Sequence, residues 1–348
     1  MLNDNQTQSV AEGSTAIQAA GNVTVVGLTH TEARALFFDL LKGYFADLTG
    51  EAVKTAHARV AEITDKFLAK LEAQNPAGIQ QAQDPGFQHA LLTVQREHSK
   101  CGDEELGNLL VDLLVDRTKH PTRDILQIVL TECLRVAPIL TSGQLSTLAV
   151  LFVLDHTVVN GLQTHEGLAL HFKHKAAPFL STLSTNLPTF QHLEFSGCGS
   201  ISVLETNLAE HIRQAYAGLF MMGLDQQRIT ELAIPVGAVQ LLRPCVTDPT
   251  KLQLAPMRKD LLQEQMEALG LSPEVQSKLS AEFDANLMDA PQVKGWILKA
   301  APFMAELFDK WETTQLRKFN LTSVGIALGH ANVRRVVGDY AELSIWIN

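Results

Sequence analysis

The sequence predicts a mainly α-helical protein, a multi-helix bundle or array with a short β-hairpin or β-solenoid segment at the N-terminus and a short strand at the C-terminus. Apolar residues recur at spacings of three and four through most of the 348 residues, which is the period of an amphipathic helix. Strict alternation of apolar and polar residues is confined to the two ends of the chain. No strands alternate with helices, and this argues against a doubly wound α/β fold.

Composition narrows the class of protein further. Hydrophobic residues make up 46% of the chain and charged residues 19%, as in a folded protein, and the net charge of −10 argues against a broad nucleic-acid surface. The four cysteines lie far apart without a CxxC pair, and the first residues lack a secretory signal. We therefore expect reduced thiols, a cytoplasmic location and no nucleic-acid partner.

The N-terminal segment, residues 1–27, is predicted to form strands that join copies of the chain. Residues 13–27 contain two alternating, partly β-branched stretches separated by Ala-Ala-Gly-Asn. A strand pair this short is not stable alone in water, and the simplest partner is the same segment of a second copy. The residues expected at this contact lie in the strands and in the first helix: Ile17, Val23, Val25, Leu36 and Phe37.

Two helices are predicted directly after this segment. Thr29 and Glu32 have the pattern of a capping box, and the helix that they open keeps its apolar spacing until Gly50. A second helix over residues 51–74 has a narrower apolar seam, which suits packing against another helix. The two helices are expected to form an antiparallel hairpin or a short oligomeric bundle.

Breaks in composition divide the remainder of the chain. The predicted units are an oligomerisation segment, a helical hairpin and a helical body with its own C-terminal unit: residues 1–27, 28–75, 76–348 and about 256–348. Body helices are predicted at about 86–99, 103–118, 121–137, 143–159, 164–184, 204–222, 225–233, 257–269, 272–286, 291–314 and 321–336. Residues 191–201 and 236–251 lack a helical period, and residues 342–347 alternate and predict a closing strand.

One uncharged stretch, residues 136–154, requires comparison with a membrane span. Its purely apolar run covers only residues 148–154, and polar residues occupy its first half, so it is too short and too polar to cross a bilayer. We interpret it as a buried core helix that begins near Ser142, and we expect no membrane partner. A membrane-active role after a conformational change is the weakest alternative.

No motif points to a cofactor or a metal. Gly-rich phosphate-binding patterns and histidine metal motifs do not occur, and the Gly-rich residues 196–200 lack a lysine. Asp155, His156 and His165 have the residue types of metal ligands, but a solvated polar helix face explains them equally well. We therefore expect neither a metal nor a cofactor.

One cluster has the residue types of a thiol hydrolase: His192, Glu194 and Cys198. A cysteine thiolate beside a histidine and a carboxylate acts as a nucleophile if the fold brings the three together. The alternative is a glycine-flanked cysteine in a tight turn against the core, with His192 bonded to the backbone. We favour this alternative, because no second histidine or asparagine lies at a telling spacing.

Residues 321–335 combine small residues with a polar, basic end. The small residues alternate and would let another backbone approach a helix closely: Gly325, Ala327, Gly329 and Ala331. The residues among and after them are candidates for binding an anion or an acidic partner: His330, Asn332, Arg334 and Arg335. The alternative, which we favour, is tight helix packing followed by a solvated helix end.

Several longer motifs resemble a family of uncharacterised bacterial proteins. They are the strand pair IQAAGNVTV with GLTHTEARALFFDLLKGYF, then HLEFSGCGSIS and YAGLF, and finally LTSVGIALGHAN with LSIWI. The resemblance covers the chain nearly end to end and implies a bacterial or phage-related cytoplasmic origin, but it supplies no catalytic residue. The opening strands are also similar to the short Gly-Asn β-repeats that precede several bacterial sensor and defence proteins.

These observations favour a non-enzymatic, self-assembling helical protein that acts as a scaffold or sensor in bacterial stress or anti-phage defence. Its expected partner is a second copy of itself, and a further protein partner remains open. Enzymatic activity also remains open. The alternatives are the cysteine-dependent hydrolase centred on His192, Glu194 and Cys198, and the membrane-active effector.

Overall fold

The computed structural model describes residues 28–41, 48–338 and 340–348, and this part of the chain is mainly helical. Sixteen α-helices are joined by 3-10 turns and by four strands of three residues each. The mainly α, multi-helix fold that the sequence predicts is therefore confirmed. The predicted strands over residues 13–27, with Ile17, Val23 and Val25, lie outside the described residues.

The elements follow one another with short connections. The helices are α1 (His30–Asp39), α2 (Glu51–Gln74), α3 (Pro85–Cys101), α4 (Glu104–Thr118), α5 (Ile125–Val136), α6 (Ser142–His156), α7 (His165–Lys175), α8 (Ala177–Leu180), α9 (Leu187–Phe195), α10 (Leu208–Ala215), α11 (Gln226–Leu232), α12 (Lys259–Ala268), α13 (Pro273–Ala285), α14 (Ala290–Ala300), α15 (Met304–Thr313) and α16 (Ser323–Val337). The strands are β1 (Gly199–Ile201), β2 (Leu242–Pro244), β3 (Leu252–Leu254) and β4 (Phe319–Leu321). β1 pairs antiparallel with β4, and β2 pairs antiparallel with β3.

Local capping chemistry sets several helix starts. Thr29 and Glu32 form the capping box that the sequence predicts, since the Glu32 backbone N–H donates to the Thr29 hydroxyl and the Thr29 N–H donates to the Glu32 carboxylate. Thr141 and Gln144 form a second capping box, so α6 begins at Ser142. All side chains of α6 from Gln144 to Leu154 are buried, which confirms the interpretation of this stretch as a core helix.

Helix α16 lies at the centre of the fold, with α6 as its principal neighbour and with contacts to α4, α5 and α7. Its glycines permit this close packing. A Cβ atom on Gly329 would lie 2.6 Å from the carbonyl oxygen of Leu148 on α6, and a Cβ atom on Gly325 would overlap the carbonyl oxygen of Cys198. The small-residue face of this helix therefore allows close backbone approach, as its sequence indicates.

The larger of two hydrophobic cores extends from Ala33 to Ile347 and includes buried residues of α1 and α2. Phe37 of α1 is fully buried and packs against two rings, with centroid distances of 6.3 Å to Phe67 on α2 and 6.1 Å to Phe87 on α3. The Phe37 side chain is thus enclosed within its own chain, whereas its contact with another copy stays a prediction. Leu36 is half-buried against the same core.

A second, smaller core is built from residues between Ala217 and Phe283, around α11, α12, α13 and the β2–β3 pair. Residues of α14, α15 and α16 belong instead to the larger core. The two cores thus divide the chain at places other than residues 75 and 256, where breaks in composition predict boundaries. The residues of the predicted hairpin share the larger core with the body.

Three sequence-based assignments differ from the structure. The predicted C-terminal strand over residues 342–347 is a 3-10 turn at Leu343–Ile345, in which Trp346 donates its indole N–H to the His156 carbonyl at 2.6 Å. Residues 191–201 contain the end of α9 and then β1, rather than a single irregular segment. The long helices predicted over 164–184 and 291–314 are each interrupted near a proline, which lacks the backbone donor that a helix interior needs.

Substituting Gly329 by alanine is expected to lower the free energy of unfolding by about 1–3 kcal/mol, because the added methyl group would force α16 away from α6. Urea unfolding of the full chain measures this change. Gly295 provides the matched control, since it lies inside α14 with open space around its Cα atom. Gly295→Ala should stabilise the protein by up to about 1 kcal/mol. Equal stability of Gly329→Ala and the original chain would contradict the close-packing account.

Candidate functional site

Cys198 of the predicted nucleophile cluster lies in a tight turn between α9 and β1. Its side chain is fully buried, and its backbone N–H donates to the Leu193 carbonyl at 2.9 Å. Burial raises the pKa of the Cys198 thiol to about 12. A thiol in such surroundings is protonated at neutral pH and is a poor nucleophile.

His192 and Glu194 are engaged elsewhere. The Gln144 side-chain amide lies 2.9 Å from His192 Nδ1 and donates to it, so this nitrogen is an acceptor. Glu194 accepts the backbone N–H of Ile201 at 2.9 Å, on the side of β1 that faces away from β4, and it thereby covers a strand edge. Among the contacts of the described residues, none joins Cys198 to His192 or Glu194.

The histidine and carboxylate ligands considered from the sequence also have structural partners. His165 is buried rather than solvated; its Nε2 lies 2.7 Å from the Leu219 carbonyl and its ring stacks on Trp296 at 4.8 Å. Asp155 lies 3.3 Å from His211, and burial raises the pKa of its carboxyl group to about 6. The described residues contain no group of three or more histidine, cysteine or carboxylate side chains placed to hold a metal ion.

The four candidate anion-binding residues of α16 separate into two pairs. His330 is buried and donates from Nε2 to the Ala341 carbonyl at 2.7 Å, with Phe152 edge-on at 5.7 Å. Asn332 is also buried, and its oxygen accepts from Arg335 at 3.0 Å. Arg334 and Arg335 are partly exposed and line a cavity. The structure therefore places two of the four candidates where a ligand can reach them.

This cavity lies between α2, α4 and the end of α16 and has a volume of about 570 Å³. Its lining is dominated by cationic and amide side chains and consists of Lys66, Lys70, Gln74, Asn108, Val111, Asp112, Arg334, Arg335 and Gly338. The volume falls in the range of about 300–1,000 Å³ that small-molecule sites occupy. We name it the α2–α4–α16 cavity.

Two of its four positive charges are neutralised by buried carboxylates of α4. Asp112 forms an ion pair with Lys70, and Asp116 accepts from both terminal nitrogens of Arg334, with Nη1 at 3.2 Å from Oδ1. Lys119 also lies 3.1 Å from Asp116. Asp112 and Asp116 are only 4% and 6% exposed. Removing one partner of such a pair leaves a buried charge uncompensated, so both pairs are structural.

The other two positive charges are paired with exposed glutamates. Lys66 Nζ lies 2.9 Å from Glu62 and 3.4 Å from Glu104, while Arg335 pairs with Glu105. The side chains of Glu104 and Glu105 are 73% and 71% exposed. Exposed ion pairs contribute only about 0–1 kcal/mol, so these carboxylates can turn into solvent at little cost.

Sequence reasoning missed the cavity residues on α2 and α4. Lys66 and Lys70 are four residues apart, which places both on one face of α2, but the same spacing is common on solvated helix faces. The stronger signal is the run from Leu109 to Asp116, where Asp112 and Asp116 interrupt an otherwise apolar helix. Carboxylates in a buried helix require cationic partners, and that requirement could have indicated a charged site nearby.

Comparison with known proteins identifies a family but no activity. A protein-family model with the description ":-like" matches residues 27–347. Neither the curated proteins nor the solved structures contain a match to this chain. Within residues 28–41, 48–338 and 340–348, no helix has both the length and the apolar character required to cross a bilayer.

The four thiols are expected to differ in reactivity under native conditions. Cys101 is exposed, whereas Cys133, Cys198 and Cys245 are buried. Ellman's reagent at pH 8 should therefore label Cys101 rapidly and Cys198 only on unfolding. A Cys101→Ser variant isolates the slow thiols, and a Cys198→Ser variant identifies the one at position 198. Rapid labelling of Cys198 in the native protein would contradict the burial of its thiol and would favour the hydrolase hypothesis.

Proposed function

We propose that this chain, which belongs to the family whose model spans residues 27–347, is a non-enzymatic, self-assembling helical protein that acts as a scaffold or sensor. The proposal has two parts. The N-terminal segment joins copies of the chain, and the helical body recognises a ligand or a second partner. Each part is supported by different residues and can fail separately.

The observation that supports a non-enzymatic role is the environment of Cys198. Its thiol is buried, which raises the pKa of the thiol to about 12. His192 accepts from the Gln144 amide, and Glu194 accepts from the backbone N–H of Ile201 on β1. Activation of a cysteine nucleophile requires a lowered thiol pKa and an adjacent base, and this environment has the opposite effect. No observation favours the hydrolase over a structural role for these three residues.

Self-assembly is supported by the sequence of residues 13–27 and by the position of α1. The aromatic contacts of Phe37 anchor α1 in the larger core, and the Thr29 capping box fixes where the helix starts. A segment that ends at residue 27 is therefore attached to a firmly packed body. Strands shared between copies would then link these bodies at a defined distance and cover edges that otherwise invite aggregation.

The membrane-active alternative is not favoured by α6. This helix would have to leave the larger core, where all its side chains from Gln144 to Leu154 are buried. A cytoplasmic location and a role in bacterial stress or anti-phage defence remain part of the proposal. Phage plaque counts on a host strain with and without the gene for this chain would test that role.

Deleting residues 1–27 is expected to lower the oligomeric state while the helical body stays folded. Light scattering of the full chain and of a chain that starts at Leu28 measures the change, and far-ultraviolet circular dichroism checks the fold. Val25→Asp in the full chain should have the same effect, because a buried charge disfavours strand pairing. The matched control is Val239→Asp, because the Val239 side chain is 56% exposed and lies in the 3-10 turn Val236–Leu241 of the body.

A monomer in both forms, or an oligomer of unchanged mass after truncation, would contradict assembly through this segment. The non-enzymatic role would be contradicted separately, by an activity that is lost in Cys198→Ser.

A further inference from the structure

We propose that the α2–α4–α16 cavity is a binding site for a small phosphate monoester, such as a sugar phosphate, which it holds through the doubly charged phosphate group. This inference concerns the helical body alone and does not depend on self-assembly through residues 1–27. It rests on the charges that line the cavity, on an unpaired donor and on the chemistry of the remaining lining residues.

The charge of the cavity matches a dianion. Four cationic side chains line it, and the two buried carboxylates Asp112 and Asp116 neutralise two of them. Glu104 and Glu105 are largely exposed and Glu62 is about half-exposed, and when these three glutamates turn into solvent, two positive charges remain, on Lys66 and Arg335. A phosphate monoester carries between about 1.5 and 2 negative charges at pH 7, so it would compensate this excess.

The phosphate would replace weak contacts by stronger ones. Glu62, Glu104 and Glu105 all have exposed side chains, so their ion pairs with Lys66 and Arg335 are screened by solvent. Hydrogen bonds from ammonium and guanidinium groups to a phosphate are charge-assisted, and an arginine can donate two parallel bonds to it. Exchange of the glutamates for a phosphate is therefore favourable at this site.

Arg335 also has a donor that lacks an acceptor. Its Nε atom is buried and has no hydrogen-bond partner among the described residues, while its terminal nitrogens donate to Glu105 and Asn332. A buried donor without an acceptor is unfavourable, because it has lost its hydrogen bond to water and gained none. Because Nε is buried, an anion would reach it only as the Arg335 side chain turns away from Glu105, and it would then supply the missing acceptor.

The remaining lining residues indicate what the phosphate is attached to. Gln74 and Asn108 contribute amides that can both donate to and accept from hydroxyl groups. Among the described residues, no aromatic side chain lines the cavity, so this lining offers no surface on which a nucleobase would stack. A polyhydroxylated phosphate ester fits this combination better than a nucleotide does.

Isothermal titration calorimetry of the full chain with glucose 6-phosphate tests the proposal. We expect saturable binding that weakens at least tenfold in Arg335→Gln and in Lys66→Gln. Lys66→Arg should keep binding within a few-fold, because the charge is retained. Lys54→Gln is the matched control, since Lys54 lies on the same helix, is 75% exposed and is outside the cavity. Its affinity should equal that of the original chain.

Two further ligands test separately whether the double negative charge and the phosphate group are required for binding. Glucose 6-sulfate has the same shape as glucose 6-phosphate but a single negative charge, and we expect it to bind at least tenfold more weakly. Glucose alone should not bind. Equal binding of the sulfate and phosphate esters would overturn the dianion site. Absence of binding by glucose 6-phosphate, glycerol 3-phosphate and inorganic phosphate at millimolar concentration would overturn the proposal altogether.

A folding check separates variants that fail to fold from variants that fold but no longer bind the ligand. Each variant is first compared with the original chain by thermal unfolding monitored by circular dichroism. Asp116 and Arg334 are left unchanged, because their buried ion pair is structural. Binding that survives in folded Arg335→Gln and folded Lys66→Gln would place the ligand elsewhere and would contradict the assignment.

Discussion

The close approach of α16 to its neighbours is the constraint on which the rest of the described structure depends. Gly329 sits against the Leu148 carbonyl of α6, and Gly325 sits against the carbonyl of Cys198. No residue with a side chain fits at either position without displacing backbone. This single helix therefore fixes the turn that encloses Cys198 and, at its other end, the positions of Arg334 and Arg335 beside α4.

The two buried aspartates of α4 show how the fold accommodates charge next to its core. Asp112 and Asp116 interrupt a run of buried apolar residues, and each is compensated by a cation from a different helix, Lys70 of α2 and Arg334 of α16. These ion pairs tie three helices together around the cavity. We expect these pairs to specify that arrangement rather than to add much stability, because desolvation offsets much of the attraction between buried charges.

Local patterns were sufficient to predict part of this structure. The bounds of α2, the Thr29 cap and the small-residue face of α16 follow from spacing and capping chemistry within one segment. The prediction of a C-terminal strand is wrong. It rests on the alternation of residues 342–347, but the hydrogen bond from Trp346 to His156 favours a 3-10 turn. Arg334 and Arg335 were identified as candidates, but their neighbours Lys66 and Lys70 were not. Only tertiary packing brings residues of α2 and α16 to the same cavity, and no local pattern encodes that arrangement.

Hydrogen–deuterium exchange of the full chain, with and without saturating glucose 6-phosphate, tests most directly whether α16 brings the cavity's charges together into a ligand site. The account predicts slower exchange at three separated places: the second half of α2, α4 around Asn108, and the end of α16 near Arg335. Protection confined to other regions, or exchange that is unchanged throughout, would contradict it.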